Sequence, residues 1–315
     1  MRIVFCGTPE FAVPALRELF AKPEFAVEAV VTQPDRPRGR GQRISASPVK
    51  EAATEAGARI YQPESMKSDA ARDFFAQIKP DAAVIIAYGQ IIPRRLLEIP
   101  RLGWMNLHAS LLPKYRGAAP IAWAIINGER KTGLTTMQLD PGLDTGPILQ
   151  QREIEIGDEE TAPELAGRMA KLGAPLVAES LMQWDRGEIA PIPQDSTKAS
   201  YASILTKEQG RIDWGQTAGE IYNRIRGLAP WPGAFTTFRG RLCHIWGRPR
   251  AADGNDAAIG QEPGSVIVSD AAMDIICGKG TRLRLEAVQI EGRKRIGARE
   301  FGNGARLGSG ERFGG

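Results

Sequence analysis

The sequence predicts an α/β protein in which an open, mostly parallel sheet with helices on both faces is followed by a small β-barrel. In the first half of the chain, short apolar runs alternate with amphipathic helical stretches. This alternation is the pattern of a parallel sheet that helices cover on both faces. In the last third, short strand candidates follow one another with Gly-rich turns between them. Such a series is typical of a small barrel.

Length and composition agree with two globular domains. A chain of 315 residues is long enough for two hydrophobic cores. A hydrophobic fraction of 42% with a charged fraction of 25% excludes wholesale disorder. No run approaches the ~18 consecutive apolar residues of a membrane span, and no secretory signal precedes the first strand pattern. We therefore expect a cytoplasmic protein.

The chain has few residues that could ligate a metal. Its three cysteines, Cys6, Cys243 and Cys277, are widely separated and odd in number, which indicates reduced thiols. Its two histidines leave little room for a metal site built from imidazoles. The sequence therefore predicts neither a disulfide framework nor a bound metal.

The predicted first domain, residues 1–188, has a Rossmann-like order of strands and helices. Thr161 and Glu164 have the spacing of a capping box, and they begin a helical pattern that runs to about Trp184. We expect this helix to close the domain. The strands are predicted at Arg2–Gly7, Val27–Thr32, Arg59–Gln62, Asp81–Ala87, Trp104–His108 and Thr135–Asp140. The helices between them are predicted at Glu10–Phe20, Pro48–Ala56, Asp69–Ile78 and Ile121–Asn127.

Regular periodicity stops between Gly187 and Lys207, where proline and polar turn residues dominate. Residues 189–206 are therefore predicted to form a linker. Residues 207–315 are predicted to form an OB-like β-barrel domain whose Gly-rich tail is frayed after Gly302. This domain should contain a helix at Thr217–Arg226 and strands at Ala234–Phe238, Leu242–Trp246, Ser265–Val268, Met273–Ile276 and Arg282–Ala287.

Basic side chains are concentrated in the second domain. Residues 206–315 contain 17 basic and 12 acidic side chains, whereas residues 1–205 contain 24 basic and 25 acidic ones. A charge excess confined to one domain suggests a polyanionic partner such as nucleic acid. A merely soluble basic domain is the alternative on charge alone.

The turn after the first strand does not have the fingerprint of a dinucleotide-binding site. Its sequence is Gly7-Thr-Pro-Glu-Phe11, with one glycine where G-x-G-x-x-G requires three. A nicotinamide enzyme is therefore not expected. In an open α/β sheet the ligand crevice still lies at the carboxyl ends of the strands, so polar residues there are candidates for the site.

Three polar residues lie at or after the ends of predicted strands. Asn106 and His108 share one face near the carboxyl end of a strand, because side chains in a strand alternate. Asp144 follows another strand candidate and could orient or charge His108. This trio suits acyl transfer, with His moving protons and Asn donating to a developing oxyanion. Since no G-x-S-x-G is present, the nucleophile should belong to the substrate.

Each of these residues also has an ordinary structural interpretation. A single histidine is more often a hydrogen-bonded structural residue than a catalytic one. Asp144 could simply cap its turn, which aspartate does readily. The loop that follows His108, from Ser110 to Gly117, contains Pro113 and precedes a helix. Loops at strand ends bind ligands more often than other loops do.

The motifs around the trio resemble the signature of the 10-formyltetrahydrofolate-dependent formyltransferases. They are Asn106-Leu-His108, Ser110-Leu-Leu-Pro-Lys-Tyr-Arg-Gly117 and Gly142-Leu-Asp144-Thr-Gly146. The segment Asp81-Ala-Ala-Val-Ile-Ile-Ala-Tyr-Gly89 resembles the family's pterin-binding segment. Further similarity extends from Gly7 to about Arg299 and includes Arg211-Ile-Asp-Trp214 and Trp231-Pro232.

The resemblance implies that Asn106, His108 and Asp144 are the catalytic residues and that 10-formyltetrahydrofolate is the formyl donor, without a metal. It is strongest with the members that act on methionyl-tRNA, whose amino group would attack the formyl carbon. We expect the protein to be a monomer. The resemblance also implies folate contacts for Ile86, Tyr88, Gly89, Ser110, Leu111, Leu112 and Pro113.

An Arg-rich loop is the other candidate contact with tRNA. Four arginines, Arg36, Arg38, Arg40 and Arg43, lie among glycines and prolines, and we expect neither a helix nor a strand here. Composition alone also allows a solvated, mobile surface loop. Guanidinium groups pair with phosphates and stack on bases, so the loop could become ordered on the acceptor end of tRNA. In the family this loop enters the acceptor stem, and Arg40 matches best.

Three functions remain open at this point. The first is formyl transfer from 10-formyltetrahydrofolate to methionyl-tRNA. The second is formyl transfer to a small amine, such as a nucleotide sugar or glycinamide ribonucleotide, or hydrolysis of the folate. The third is a nucleic-acid-binding module whose first domain is only structural. The trio argues against the third function, and the Arg-rich loop with the basic second domain argues against the second.

Overall fold

The computed structural model describes residues 1–38, 43–250, 261–269, 272–307 and 311–314. The chain divides into two units. The first consists of Met1–Pro120, Lys131–Glu155 and Glu164–Ala202, and the second of Ile121–Arg130, Ile156–Pro163 and Ser203–Gly315. In the described residues, no helix is both long and apolar enough to cross a membrane.

Strands and helices alternate through the first 185 residues, as the sequence predicts. The strands are β1 (Arg2–Gly7), β2 (Ala26–Val31), β3 (Arg36–Arg38), β4 (Arg43–Ser45), β5 (Ile60–Tyr61), β6 (Ala82–Ile86), β7 (Trp104–His108), β8 (Arg116–Gly117), β9 (Lys131–Gln138) and β10 (Ile148–Glu155). The helices are α1 (Val13–Ala21), α2 (Pro48–Glu55), α3 (Asp69–Ile78), α4 (Arg94–Leu97), α5 (Pro120–Ile126) and α6 (Ala162–Asp185).

The first unit is built on a seven-stranded sheet with the order β10-β9-β7-β6-β1-β2-β5. The run from β7 to β5 is parallel, whereas β9 is antiparallel to β7 and β10 is antiparallel to β9. The predicted Rossmann-like, mostly parallel sheet is therefore confirmed. The strand order reverses between β1 and β6, and the carboxyl ends of strands at such a point form the usual ligand crevice.

Burial and helix capping explain why these segments form the predicted elements. All five residues of β6 are buried, as expected of a central strand covered on both faces. The Phe75 ring of α3 packs against the Trp104 ring of β7, with 5.1 Å between the ring centroids. The hydroxyls of Ser47 and Ser68 accept hydrogen bonds from the third residue of α2 and α3, so each caps its helix.

Two features of this unit differ from the prediction. Strand β10 was not predicted, because only Leu149 and Ile154 of its eight residues are buried, so the strand reads as largely polar. The Arg-rich segment was expected to contain no strand, and this is wrong at its ends, where β3 and β4 pair antiparallel. Backbone pairing in a short hairpin needs no apolar side chains, so composition misses it. Residues 39–42, including Arg40, lie outside the described residues.

The second unit contains a six-stranded antiparallel sheet with the order β12-β13-β16-β15-β14, in which β17 also pairs with β16. This confirms the predicted domain of short antiparallel strands. The short strand β11 (Tyr201–Ala202) belongs to the first unit. The strands and helices of the second unit after it are α7 (Ala218–Gly227), β12 (Phe235–Phe238), β13 (Arg241–Pro249), β14 (Val266–Val268), β15 (Met273–Ile276), β16 (Arg282–Ile290), β17 (Ile296–Gly297) and α8 (Ala298–Ala305).

The C-terminal segment joins the two edges of this sheet. Phe313 forms a bridge with Phe238 of β12, and Arg312 forms one with Ser265 beside β14. The amide of Phe313 also donates to Gly264 O, and its side chain is only 1% exposed. The prediction of a frayed tail after Gly302 is therefore wrong for the described residues, because one buried aromatic side chain among many glycines anchors the segment.

Candidate active site

The carboxyl end of β7 carries two of the three predicted catalytic residues. Asn106 and His108 lie two residues apart on the strand and so on the same face. Asn106 is partly buried, and its carboxamide makes no hydrogen bond within the described part of the chain. Its two N–H groups are therefore available to a ligand.

The imidazole of His108 is fixed by both of its nitrogens. The ring is buried, with 6% of the residue exposed. Its Nε2 lies 2.8 Å from the carbonyl oxygen of Tyr115, which can only accept, so Nε2 donates. Its Nδ1 lies 3.6 Å from Oδ2 of Asp144, and the two form an ion pair when the ring is protonated. Nδ1 is thus the nitrogen that remains for proton transfer.

Asp144 reaches His108 by a route that the sequence did not predict. Strand β9 pairs antiparallel with β7, with Met105 opposite Gln138, so β9 ends at the amino end of β7. The carboxyl end of β9 is therefore at the opposite end of β7 from His108. The segment that follows β9 leads back to His108 instead, and it brings the Asp144 carboxylate to the ring.

Close backbone packing shapes the turn that holds Asp144. A Cβ atom at Gly146 would lie 1.8 Å from Gln138 O, so only glycine fits there. Asp144 has a φ of 51°, in the left-handed region that few non-glycine residues adopt. Its Oδ2 accepts a hydrogen bond of 2.8 Å from the amide of Gly117. The carboxylate is therefore held between this amide and the imidazole.

Sequence reasoning missed two residues that support the turn. The side-chain amide of Gln194 donates to the carbonyl oxygens of Asp144 and Gly146, at 2.9 and 2.7 Å. Its Oε1 accepts from Nε and Nη2 of Arg116, at 3.1 and 2.8 Å. Gln194 lies in the segment predicted to be a linker, where the composition shows no sign of a site. The arginine of the Ser110–Gly117 motif was the available signal.

Two of the four predicted folate contacts in the loop after β7 are buried. Ser110 is 0% exposed, and its hydroxyl donates to Lys114 O at 2.6 Å. Leu112 is also buried, and its amide donates to Oγ1 of Thr135 at 3.1 Å. Leu111 and Pro113 are partly exposed. The hydroxyl of Ser110 and the backbone amide of Leu112 therefore hold the loop, and Leu111 and Pro113 present surface.

A cavity of about 950 Å³ lies at the carboxyl ends of β1, β2 and β6. Tyr88, Gly89 and Arg36 are the predicted site residues that line it, together with Thr8 and Gln33. The predicted contact Ile86 is fully buried and does not line the cavity. The backbones of Arg38 and Arg43 form the hairpin beside it. The residues from Ser110 to Pro113 are not part of this lining.

The cavity wall is held by hydrogen bonds to one carbonyl group. Thr8 Oγ1 and Gln33 Nε2 both donate to Tyr88 O, at 3.0 and 3.1 Å. The Tyr88 hydroxyl is buried without a partner within the described residues, and burial raises the pKa of Tyr88 well above its usual value. This phenol therefore stays neutral and does not serve as an acid or base near neutral pH.

All three thiols are unsuited to nucleophilic attack. Cys6, Cys243 and Cys277 are free and buried. Burial raises the pKa of Cys243 and Cys277 to about 12 and raises the pKa of Cys6 strongly. Only the thiolate is a good nucleophile or metal ligand, so these side chains are inert near neutral pH. In the described ranges, no three His, Cys, Asp or Glu side chains cluster as a metal site would require.

Comparison with known proteins identifies relatives of the chain. The family model described as formyl transferase matches residues 1–181, and the model of the formyl transferase C-terminal domain matches residues 204–306. The chain is 51% identical to the methionyl-tRNA formyltransferase of Solibacter usitatus, over 100% of this chain and 99% of that one. It is 47% identical to the methionyl-tRNA formyltransferase of Caldanaerobacter subterraneus, over 96% of each chain.

The fold also matches a solved structure. It is the crystal structure of the N-formyltransferase from Helicobacter canadensis in complex with folinic acid and dTDP-3-aminofucose. The TM-score is 0.65 with 19% sequence identity, and the match covers 90% of this chain and 98% of that chain. At this identity the similarity concerns the fold alone.

Proposed function

The chain belongs to the formyl transferase family, and we propose that it transfers the formyl group of 10-formyltetrahydrofolate to the α-amino group of methionyl-tRNA. The product, N-formylmethionyl-tRNA, serves translation initiation. The observation that carries the proposal is the 51% identity to a methionyl-tRNA formyltransferase over 99% of that protein. The meeting of Asn106, His108 and Asp144 supports the type of reaction.

The attacking group in this reaction is the substrate amine, and no protein nucleophile is needed. The three thiols are buried with raised pKa values, so they stay protonated. The hydroxyl of Ser110 is buried and donates to Lys114 O. An α-amino group has a pKa of ~8, so a substantial fraction of the amine is unprotonated near neutral pH. Direct acyl transfer fits these facts.

We assign one role to each member of the trio. When bound, the folate supplies the formyl group and a nitrogen that leaves. Asn106 donates a hydrogen bond to the formyl oxygen as negative charge develops there. His108 takes a proton from the attacking amine at Nδ1 and delivers it to the folate nitrogen that leaves, because Nε2 is held by Tyr115 O. Asp144, at 3.6 Å, holds the ring in place and pairs with it while it is charged.

The residues around the cavity fit a folate. A volume of about 950 Å³ is within the range of ligand sites, which is roughly 300–1,000 Å³. The lining includes Gln33 and Gln90, residues whose side chains carry both donors and an acceptor of the kind that a pterin ring requires. We propose that Tyr88 and Gly89 contact the folate here and that Leu111 and Pro113 contact it from the loop. Ile86, Ser110 and Leu112 would support these surfaces from below.

We propose that methionyl-tRNA binds through the basic second domain and through the Arg-rich hairpin, the name we give to the paired strands β3 and β4. Arg36 is exposed and lines the cavity, and Arg38, Arg40 and Arg43 follow it in sequence. Guanidinium groups at this position suit the phosphates of an acceptor stem. The catalytic domain would then comprise residues 1–188 and the tRNA-binding domain residues 207–315, with residues 189–206 between them.

We also propose that the protein works as a monomer in the cytoplasm. The free, buried cysteines fit a reducing compartment. Size-exclusion chromatography with light scattering tests the first point.

A transfer assay tests the function. Purified protein is incubated with 10-formyltetrahydrofolate and methionyl-tRNA, with uncharged tRNA and free methionine as parallel acceptors. Formylation of charged tRNA alone supports the proposal. Release of formate without an acceptor would indicate a hydrolase, and formylation of free methionine would indicate an enzyme for small amines.

A further inference from the structure

Gln194 uses every hydrogen-bonding group of its side chain to connect two segments of the first unit. Its Nε2 donates to Asp144 O and Gly146 O, and its Oε1 accepts from Nε and Nη2 of Arg116. We call this arrangement the Gln194–Arg116 bridge. The bridge holds the main chain of the turn on both sides of Thr145, at Asp144 and at Gly146.

The bridge closes a ring of hydrogen bonds around the Asp144 carboxylate. The peptide after Arg116 provides the Gly117 amide, which donates to Oδ2 of Asp144 at 2.8 Å. The Arg116 side chain then holds Gln194, which returns to Asp144 O. The carboxylate and the main chain of Asp144 are therefore both tied to the segment formed by Arg116 and Gly117. That segment is itself anchored, because the amide of Arg116 donates to Ser200 O at 2.8 Å.

The conformation of Asp144 needs such support. Its φ of 51° is in the left-handed region, where a non-glycine residue persists only if its surroundings hold it. On one side the turn packs closely on Gln138 O, since a Cβ atom at Gly146 would lie 1.8 Å from it. The bridge supplies the hydrogen bonds to the carbonyl groups of the turn. Without the bridge, both carbonyl oxygens would lose their hydrogen bonds from the Gln194 amide.

Glutamine suits this position better than glutamate or alanine does. Arg116 is buried, with 3% of the residue exposed, and in the described part of the chain no carboxylate lies within ion-pair distance of its guanidinium. Gln194 gives the guanidinium an acceptor and gives the turn two donors. A glutamate could accept from Arg116 but could not donate to the turn, and an alanine could do neither.

We propose that Gln194 is a positioning residue for the reaction, which acts by holding the Asp144 carboxylate against His108. This inference rests on the proposed function, since it concerns the same site. Gln194 need not touch either substrate. Its loss should therefore slow the chemical step and leave substrate binding nearly unchanged, because small misplacements of a catalytic group are costly to rate.

Two variants separate the halves of the bridge, and a third is a matched control. Gln194→Ala removes all four hydrogen bonds, and Gln194→Glu keeps acceptors for Arg116 but removes the donors to the turn. The control is Gln150→Ala, because Gln150 links β10 to α6 through Ser180 and Gln183 in the same unit. It should lower the melting temperature without changing kcat.

Formyl transfer to methionyl-tRNA is measured with each variant. We expect both Gln194 variants to lower kcat by about 10- to 100-fold, with KM for folate and for tRNA changed by less than about twofold. Wild-type kcat in either folded variant would overturn the inference. A loss of kcat in Gln150→Ala equal to that in Gln194→Glu would also overturn it, because a general loss of stability would then explain both.

Hydrogen exchange tests the bridge independently of activity. The Gly117 amide should exchange slowly in the wild-type protein and faster in both Gln194 variants, and its exchange should be unchanged in Gln150→Ala. Equal protection of the Gly117 amide in Gln194→Ala and in the wild type would overturn the bridge.

The exchange pattern also separates this inference from the proposed function. A wild-type protein that fails to formylate methionyl-tRNA but shows the expected exchange pattern would contradict the proposed function while supporting the positioning of Asp144. If Gln194→Ala does not fold, Gln194→Glu provides the same test.

Discussion

The Nδ1 atom of His108 lies 3.6 Å from the Oδ2 atom of Asp144, although the strand before Asp144 ends at the far end of β7 from His108. The turn after β9 therefore has to return along the sheet and present a carboxylate from a left-handed residue. A carboxylate held in this way depends on the residues that fix the turn.

Removing the imidazole should abolish most of the activity. His108→Ala should lower kcat by about 10²- to 10⁴-fold, the usual contribution of a general acid or base. His108 is only 6% exposed, so the variant should also melt at a lower temperature. Transfer rates and circular dichroism melts measure the two effects. His244→Ala, the chain's other histidine, is the control and should keep kcat. Full activity in folded His108→Ala would refute the catalytic assignment.

Neutralising Asp144 should slow the reaction and spare the structure. In Asp144→Asn the amide oxygen can still accept from the Gly117 amide, so the turn should stay in place. The charge that pairs with the imidazole is lost, and kcat should fall by about 10²- to 10⁴-fold, as when such a carboxylate is replaced in other triads. Steady-state kinetics at saturating substrates measure this. A wild-type rate would show that the carboxylate only shapes the turn.

Arg40 should matter for binding of tRNA and not for binding of folate. Arg40→Ala should raise KM for methionyl-tRNA several-fold and reduce the slope of log affinity against log salt by about 1, since one phosphate contact is lost. Arg17→Ala is the control, because Arg17 is exposed and pairs with Glu55. Binding of folate, measured by fluorescence titration, should not change. Equal loss of both ligands would show that Arg40 belongs to the folate site.

The C-terminal segment should stabilise the barrel. Phe313→Ala removes a ring that is 1% exposed and contacts the rings of Phe238 and Phe301, so it should cost about 3–5 kcal/mol of unfolding free energy. Urea unfolding followed by tryptophan fluorescence measures the change. Arg312→Ala is the control, since its side chain is half exposed and its ion pair with Glu262 should contribute no more than about 1 kcal/mol. Equal effects of the two changes would contradict a structural role for the ring.

How well each segment could be predicted from the sequence depends on how many apolar side chains it buries. Strand β6 was predictable because all five of its residues are buried apolar side chains, and β7 because Trp104, Met105 and Leu107 are. Strand β10 was not, because it lies at the sheet edge and buries only two of its residues. The closing segment around Phe313 was missed because one aromatic residue among glycines shows no periodicity, and its partner on β12 is distant in sequence.

The site was predictable only in part for a related reason. Asn106 and His108 share a strand, so their proximity follows from local geometry. Asp144 was expected at the site because it follows a strand candidate, but β9 is antiparallel to β7, so its proximity to His108 depends on the turn after β9. Gln194 was not found because its role depends on tertiary contacts to two separate segments, and nothing in its neighbouring sequence indicates them.

A competition assay tests the central claim most directly. Equal concentrations of methionyl-tRNA, glycinamide ribonucleotide and a dTDP-amino sugar are offered together with 10-formyltetrahydrofolate labelled in the formyl group. If the chain is specific for the aminoacyl-tRNA, the label should appear in N-formylmethionyl-tRNA and nowhere else. Label that accumulates in either small amine, with none on the tRNA, would contradict the account.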